Sequence, residues 1–366
     1  MGVKSTALHN IIWKEEMNIA FLCEGMTDLR YFLPLYSGLS RHKSGINFYL
    51  YYTSSGKYNS VDLNFKRFLS IFESANFSDI KISHAENIDS STFFDILFTI
   101  ENISDFNIKP GKQNKKSIKS SFNYEKRFCI QHGLDYFNFA SESSDYIVTD
   151  KCYQDDLKNR FNSSSIVSKV PISFWNIDDQ INLIPKRFKD YMDKKSAFLF
   201  YPENGYHKEV LGIVNFLINK DYNIVIKQRR KNQGIPRPYY DHSNISVCFD
   251  DMWYPSEAVV FPSLSTISMG FGTSAYFDLI PVGIPYIDFA LPEYSKNIQK
   301  YNGDESIPIN RRGYVKPSSK IFSYIEEYTE DCFSEIERIE KDSPDRSFKD
   351  FNQYVDKFLK NLLKSY

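Results

Sequence analysis

The chain has 366 residues, of which 42% are hydrophobic and 25% are charged, and its formal net charge is −1. This length and balance predict a globular protein of two ordinary domains, with no overall attraction to nucleic acid or to an anionic membrane. The five cysteines are widely spaced and form no Cys-x-x-Cys pair, so we expect reduced thiols in a cytoplasmic protein. No stretch approaches the roughly 20 apolar residues of a membrane span.

The first half of the chain has the pattern of an α/β domain. An apolar strand ends at Glu24-Gly25 and is followed by a helix-compatible stretch and a second strand, the order that opens a parallel sheet. The predicted strands of this half are 18–23, 47–53, 127–131 and 146–148, and a helix is predicted at 151–160.

A second α/β series begins at Ser196, after a mixed and charged connection at 173–195. Helices are predicted at 209–219 and from 274 to about 282, and the chain is predicted to be helical from Pro317 to its end. The predicted strands of this half are 197–201, 223–227, 245–249, 258–261 and 285–289. The apolar face of the first of these helices is Val210, Ile213, Val214 and Leu217.

These patterns predict an α/β fold of two Rossmann-like domains that face a cleft, with C-terminal helices. We expect an acceptor-side domain at 1–185, a nucleotide-donor domain at 196–310, and a helical tail at 311–366 that packs back on the first domain.

Residues 269–278, MGFGTSAYFD, place two glycines and two hydroxyls directly before a predicted helix. Thr273 or Ser274 would cap that helix, and Gly272 would let backbone N–H groups approach a phosphate. Asp278, one turn into the helix, would accept hydrogen bonds from a ribose. The alternative is a capped, buried turn whose glycines serve packing only.

A basic run, Lys227, Arg229 and Arg230, follows the predicted strand NIVI directly. Its side chains should therefore reach the same rim of the sheet as the glycine turn. Guanidinium groups bind phosphate oxygens through paired hydrogen bonds, and lysine adds a point charge. The run predicts a diphosphate site at this rim, and the alternative is a solvated basic loop.

Two histidines stand at the ends of predicted strands. His132, in IQHGLDY, carries an imidazole of near-neutral pKa that could act as general base on an acceptor hydroxyl. His207, in GYHKE, could contact the phosphate of a donor. The structural alternatives are a histidine that only packs at 132 and a helix-entry residue at 207.

The sequence lacks the motifs of several common enzyme mechanisms. It contains no G-x-S-x-G elbow, Walker loop, H-E-x-x-H or D-x-D motif. The missing D-x-D argues against a transferase that holds its nucleotide through a metal. We therefore expect no metal and no cofactor besides the substrates, and no nucleic-acid partner.

Several short motifs follow one another in a fixed order along the chain. The sequence has Gln131-His132-Gly133 after a strand, and later Ser256-Glu257, the predicted strand 258–261, Thr273-Ser274, Asp278 and Gly283-Ile284-Pro285. This order resembles the GT-B architecture of metal-independent glycosyltransferases. Within that group it is similar to bacterial surface-polysaccharide transferases, including the CDP-glycerol glycerophosphotransferases of teichoic-acid synthesis.

The chain departs from this family at several positions. Glu257 stands where Asp is usual, and Asp278 stands where Glu is commoner. Lys227-Gln228-Arg229-Arg230 replaces the usual Lys-x-His-Pro. Extra residues at 262–270, PSLSTISMG, lengthen the loop before the glycine turn, so that other hydroxyls could contact phosphate. Those alternative hydroxyls are Ser263, Ser265 and Thr266.

The resemblance implies transfer of a glycosyl or glycerophosphoryl group from a nucleotide-activated sugar or CDP-glycerol to a saccharide hydroxyl, in synthesis of cell-envelope polysaccharide such as capsule or lipopolysaccharide. A lipid-linked acceptor would place the protein at the inner face of the membrane. There the lysines of 109–119 would touch anionic lipid or stay solvated, so membrane contact is at most peripheral. Two alternatives remain, a nucleotide-sugar 2-epimerase and a non-catalytic carbohydrate-binding protein.

Overall fold

A computed structural model describes most of the chain. The described residues are 16–23, 28–42, 45–52, 79–100, 122–131, 145–149, 151–192, 194–202, 206–228, 239, 241–249, 257–271, 273, 276–289, 291, 320–342 and 349–364. Within these ranges, no helix combines the length and the apolar character needed to cross a membrane.

The described residues of the first half form a parallel sheet of seven strands. The strands are β1 (Met17–Cys23), β2 (Ile46–Tyr52), β3 (Ile80–His84), β4 (Phe93–Ile100), β5 (Asn123–Ile130), β6 (Asp145–Val148) and β7 (Ser165–Val167). Their order across the sheet is β3-β2-β1-β4-β5-β6-β7. Because β1 pairs with both β2 and β4, the strand order reverses at β1, as in Rossmann folds.

The four strands predicted in this half are confirmed as β1, β2, β5 and β6. Strands β3, β4 and β7 were not predicted from the sequence. A signal for β4 was present, since FFDILFTI is a nearly continuous apolar run of the kind that a buried parallel strand requires. The short strand β7 has three residues, too few for a periodic pattern.

In the second half, the residues with described placement form a parallel sheet of six strands. They are β8 (Ser196–Phe200), β9 (Asn223–Gln228), β10 (Ile245–Phe249), β11 (Ile267–Gly270), β12 (Tyr286–Phe289) and β13 (Phe322–Ile325). The order β10-β9-β8-β11-β12-β13 repeats the order of the first six strands of the first sheet. The predicted α/β fold of two Rossmann-like domains is therefore confirmed.

Nine α-helices surround the described parts of the two sheets. They are α1 (Leu29–His42), α2 (Lys151–Phe161), α3 (Ile177–Asn182), α4 (Lys186–Met192), α5 (His207–Asn219), α6 (Glu257–Leu264), α7 (Tyr276–Leu279), α8 (Asp331–Lys341) and α9 (Lys349–Lys364). The predicted apolar face of α5 is confirmed, because the same four residues are its buried ones.

The strand predicted at 258–261 is wrong, because these residues lie in the buried helix α6. Four consecutive apolar residues carry no period that separates a strand from a buried helix. The true strand, β11, lies within the residues that the sequence analysis read as a lengthened loop. Within the described residues, the order from β10 to β11 is therefore strand, helix, strand.

The connection between the two sheets is packed rather than extended. Its helix α4 places Phe188 against Phe261 of α6, with ring centroids 4.9 Å apart. The segment predicted to be helical from Pro317 to the end contains strand β13 as well as the helices α8 and α9, because Phe322–Ile325 pairs with β12. The second of these helices, α9, packs against α1. In α9, Phe358 contacts Trp175 at a ring-centroid distance of 5.4 Å. The buried residues of α9 are Val355, Phe358, Leu359, Leu362 and Leu363, the spacing of one helix face.

Replacing Leu359 by alanine should lower the free energy of unfolding by about 2–5 kcal/mol, because it leaves a cavity between α9 and α1. Leu359 is fully buried, and a Cβ added to Gly38 of α1 would lie 2.7 Å from its Cδ1 atom. The matched control is Lys360→Ala on the exposed side of α9, with an expected change within about 0.5 kcal/mol. Thermal unfolding of both variants measures the difference, and equal effects would contradict this packing.

Candidate functional site

The carboxyl ends of β8, β9 and β11 lie together at one edge of the second sheet. β8 pairs with β9 on one side and with β11 on the other, so the strand order reverses at β8. The backbone N–H of Tyr201, just after β8, donates to the carbonyl of Lys227 at 3.0 Å. Ligands of open parallel sheets bind outside the carboxyl ends of strands at such a reversal. This edge is therefore the candidate site.

Gly270, the last residue of β11, is closely packed at this edge. A Cβ on Gly270 would overlap the hydroxyl of Tyr286 and Cγ2 of Thr273, and would lie 3.3 Å from Cβ of Phe200. Thr273 itself is only 5% exposed. Packing thus requires a glycine at 270. Gly272 and Ser274, the neighbours of Thr273 in the turn, lie outside the described residues.

The helix after this turn is shorter than the sequence suggested. α7 has four residues and continues as one 3-10 turn, Ile280–Val282. Gly283 ends it with φ of 79°, the left-handed conformation that glycine adopts readily at the end of a helix. A helix this short aligns few peptide dipoles, so its N-terminus offers little positive charge to an anion. A phosphate at this edge would depend on nearby cationic side chains.

Lys227 lies in β9, at the rim where the sequence analysis placed the basic run. Its side chain is partly buried, and the next residue, Gln228, is 6% exposed. Arg229 and Arg230 lie outside the described residues. Lys227 is therefore the one cation of the predicted run that the described residues bring to the edge.

His207 begins α5 at the same edge, next to Tyr201. The Tyr201 hydroxyl and Nδ1 of His207 are 2.5 Å apart. Burial raises the pKa of Tyr201 to about 12, so the phenol is protonated at neutral pH. Tyr201 was not selected from the sequence, although its place at the end of the predicted strand 197–201 was a signal of the same kind that selected His207.

Asp278 faces the first domain. Its Oδ2 accepts a hydrogen bond from Oγ of Ser173 at 3.3 Å. Burial raises the pKa of the Asp278 carboxyl, and the positive charge of Arg30 and the Ser173 bond oppose that rise. Arg30, in the first turn of α1, also donates from Nη2 to the Tyr31 hydroxyl at 2.6 Å. Asp278 is thus a point of contact between the second domain and the first.

A small pocket separates Asp278 from the carboxyl edge of the first sheet. Gln131 and Thr149 line its far side, and the backbone N–H of Thr149 donates to Oε1 of Gln131 at 3.2 Å. The candidate base, His132, follows Gln131 in the sequence but lies outside the residues whose placement is described. The pocket therefore lies between Asp278 of the second domain and the carboxyl edge of the first sheet.

Three alternative phosphate ligands lie elsewhere. Oγ of Ser263 donates to the Val259 carbonyl, and Oγ of Ser265 donates to the Phe261 carbonyl, both at 2.7 Å. Oγ1 of Thr266 accepts from the backbone N–H of Ser196, the first residue of β8, at 3.2 Å. These hydroxyls lie at or near the amino edge of the second sheet, opposite the candidate site. A phosphate bound at the carboxyl edge would therefore be out of reach of these three hydroxyls.

Arg30, Tyr31 and Ser173 were missed as cleft residues by the sequence analysis. Arg30 and Tyr31 begin the helix after β1, so the rule that selects strand-to-helix turns could have found them. Ser173 lies in the connection between the sheets and gave no signal, because only the packing of distant segments brings it to Asp278.

Solved structures share this architecture over nearly their whole length. The chain matches the UDP-GlcNAc 2-epimerase of Neisseria meningitidis bound to UDP-GlcNAc with a TM-score of 0.56 and 12% identity, covering 95% of this chain and 100% of that one. The UDP-N-acetylglucosamine 2-epimerase of Rickettsia bellii gives 0.55 and 10%, covering 96% and 97%. Arabidopsis thaliana UGT89C1, complexed with UDP-L-rhamnose, gives 0.50 and 8%, covering 95% and 94%.

These likenesses identify the architecture as the GT-B fold, in which two Rossmann-like domains face a cleft. No protein-family model matches the sequence, and no curated protein matches it significantly.

Proposed function

We propose that the chain is a metal-independent transferase that moves a glycosyl or glycerophosphoryl group from a nucleotide-activated donor to a saccharide hydroxyl. The observation that carries the proposal is the strand-order reversal at β8, where Lys227, Thr273 and His207 belong to one edge. This edge belongs to the second domain, and Gln131, just after β5, belongs to the first. The two domains meet at the pocket that Asp278 and Gln131 both line.

The donor would bind at the edge of the second sheet. Backbone N–H groups and hydroxyls of Gly272, Thr273 and Ser274 would contact the diphosphate. Lys227, Arg229 and Arg230 would supply the positive charge that the short helix α7 does not, and would stabilise charge on the leaving group. His207, at the start of α5, would also contact a phosphate oxygen.

The acceptor would bind at the edge of the first sheet. There His132 would remove the proton of the acceptor hydroxyl while that hydroxyl attacks the carbon or phosphorus atom of the donor. Asp278 would hold the ribose, and to do so its carboxyl would exchange the Ser173 hydrogen bond for a ribose hydroxyl. A lipid-linked saccharide as acceptor would place the reaction in the cytoplasm at the inner face of the membrane.

Two observations bear on the choice of ligand and metal. The complexes of the Neisseria and Arabidopsis proteins contain UDP-sugars, which supports a nucleotide sugar as the class of donor on this fold. In the part of the chain with described placement, no group of three or more His, Cys, Asp or Glu side chains is arranged to hold a metal ion. Metal independence itself rests on the missing D-x-D motif.

A thermal-shift screen tests the donor site. We expect one of CDP, CMP, UDP, GDP and TDP to raise the melting temperature, to the same extent with and without magnesium. Binding to the native state at 100 times Kd stabilises it by about 2.7 kcal/mol, which a melting curve resolves. No shift with any of the five would contradict the proposal and favour a non-catalytic carbohydrate-binding protein.

The geometry of Asp278 supports a second candidate, a nucleotide-sugar 2-epimerase. Such an enzyme needs acid and base groups inside the cleft, and the carboxyl of Asp278 lies there with a pKa raised by burial. Incubation with a nucleotide sugar in deuterated water, without acceptor, separates the two reactions. Deuterium in the recovered sugar would support the epimerase, whereas product that forms only when an acceptor is added supports the transferase.

A further inference from the structure

The hydrogen bond between Tyr201 and His207 lies at the edge of the proposed donor site. Tyr201 is 2% exposed, whereas His207 is exposed, so the pair joins a buried phenol to an accessible imidazole. The bond uses Nδ1 of His207, at 2.5 Å from the phenol oxygen. Nε2 is then the ring nitrogen that remains for a ligand.

The chemistry of the pair determines where the imidazole proton lies. Among the described residues, the buried Tyr201 hydroxyl has one side-chain hydrogen bond, to Nδ1 of His207. Because the phenol keeps its proton at neutral pH, donation to Nδ1 is the direction that satisfies this buried O–H group, and it leaves the ring proton of a neutral imidazole on Nε2. If the imidazole becomes protonated, the bond reverses and Nδ1–H donates to the phenol oxygen. In both states Nε2 carries a proton and can donate to an anion.

The surroundings hold both partners in place. The backbone N–H of Tyr201 is bound to the Lys227 carbonyl, and its ring packs edge-on against Tyr239 at a centroid distance of 6.4 Å. Tyr206, directly before His207, has φ of 57° and stacks on Phe271 at 5.6 Å. A left-handed conformation at a residue other than glycine costs energy and persists where surrounding contacts demand it. The entry to α5 is therefore held by aromatic contacts on both sides.

We propose that Tyr201 is a positioning residue of the donor site. Its hydroxyl orients the imidazole of His207 and keeps Nε2–H available for an anionic oxygen of the nucleotide donor. The inference rests on the proposed function for its ligand, but the proton position of His207 can be measured without any ligand.

The test is Tyr201→Phe, which removes only the hydroxyl, with Tyr239→Phe as matched control. Tyr239 is a buried neighbour in the same aromatic group, and its ring packs on Tyr201. Long-range ¹H–¹⁵N NMR of the six histidines, with His207 assigned through His207→Ala, reports the proton position. We expect the Nε2–H form alone in the wild type and in Tyr239→Phe, and a mixture of both tautomers in Tyr201→Phe. Melting temperatures verify that each variant is folded.

Titration with the nucleotides of the thermal-shift screen gives the second readout. We expect His207→Ala to weaken binding about 10- to 100-fold, the range for a hydrogen bond to a charged group. Tyr201→Phe should weaken it by about 3- to 10-fold, and should have no further effect in the His207→Ala background, because the hydroxyl acts through the imidazole.

Each outcome addresses one of the two proposals. An unchanged tautomer in Tyr201→Phe, or the same loss of affinity with and without His207, would overturn the positioning role. A wild type that binds nucleotide while Tyr201→Phe binds equally well overturns this inference alone. A wild type that binds none of the nucleotides overturns the proposed function, whatever the NMR spectra show.

Discussion

Replacing His132 by alanine should lower kcat by about 10²- to 10⁴-fold and leave the affinity for the nucleotide nearly unchanged. Loss of a positioned general base costs this much because the acceptor hydroxyl must then lose its proton to water. The nucleotide binds to the second domain in our proposal, whereas residue 132 follows Gln131 at the end of β5 in the first. Turnover assays and nucleotide titration of the same preparation separate the two quantities.

The matched control for this prediction is His242→Ala. Nδ1 of His242 accepts a local hydrogen bond from the backbone N–H of Asn244 at 3.1 Å, just before β10 begins. It therefore lies at the amino edge of the second sheet, away from the candidate site, and its loss should leave kcat unchanged. A large loss of nucleotide affinity in His132→Ala would show that the histidine belongs to the donor site and would contradict its role as base.

Gly270→Ala should destabilise the protein by about 1–3 kcal/mol and also weaken nucleotide binding. The added methyl group would overlap Tyr286 and Thr273, and neither can move far because both are buried. Displacing Thr273 would displace the turn that we propose binds phosphate. Thermal unfolding measures the first effect, and titration with the nucleotide identified by the thermal-shift screen measures the second.

Gly283→Ala is the control that separates packing from backbone strain. Gly283 has φ of 79°, and among the described residues no atom beyond its two chain neighbours lies within 4 Å of the Cβ that a substitution would add. Its replacement should therefore cost about 1–2 kcal/mol through the left-handed backbone alone. Nucleotide affinity should be unaffected in Gly283→Ala. If Gly270→Ala binds nucleotide as tightly as Gly283→Ala does, the turn after β11 is not part of the donor site.

The sequence alone determined the α/β fold and several of its elements. Residues that repeat at helical spacing on α5, and apolar runs that end in polar or glycine turns at β1, β8 and β9, are local patterns. Such patterns reflect the period of the backbone and the need to bury one face, so they need no knowledge of distant partners. The glycine at position 283 is also a local signal, because the left-handed backbone conformation at that position favours glycine over other residues.

Only the tertiary structure decided between α6 and a strand, because every residue of 257–263 is buried and uniform burial removes the period that distinguishes the two. It also decided which polar groups meet. Asp278 contacts Ser173, which lies far from it in the sequence. Ser265, directly after α6, donates its hydroxyl to the Phe261 carbonyl of that helix. Parallel strands bring their ends together only through long crossovers, so the sequence can predict that residues stand at strand ends but not which of them touch.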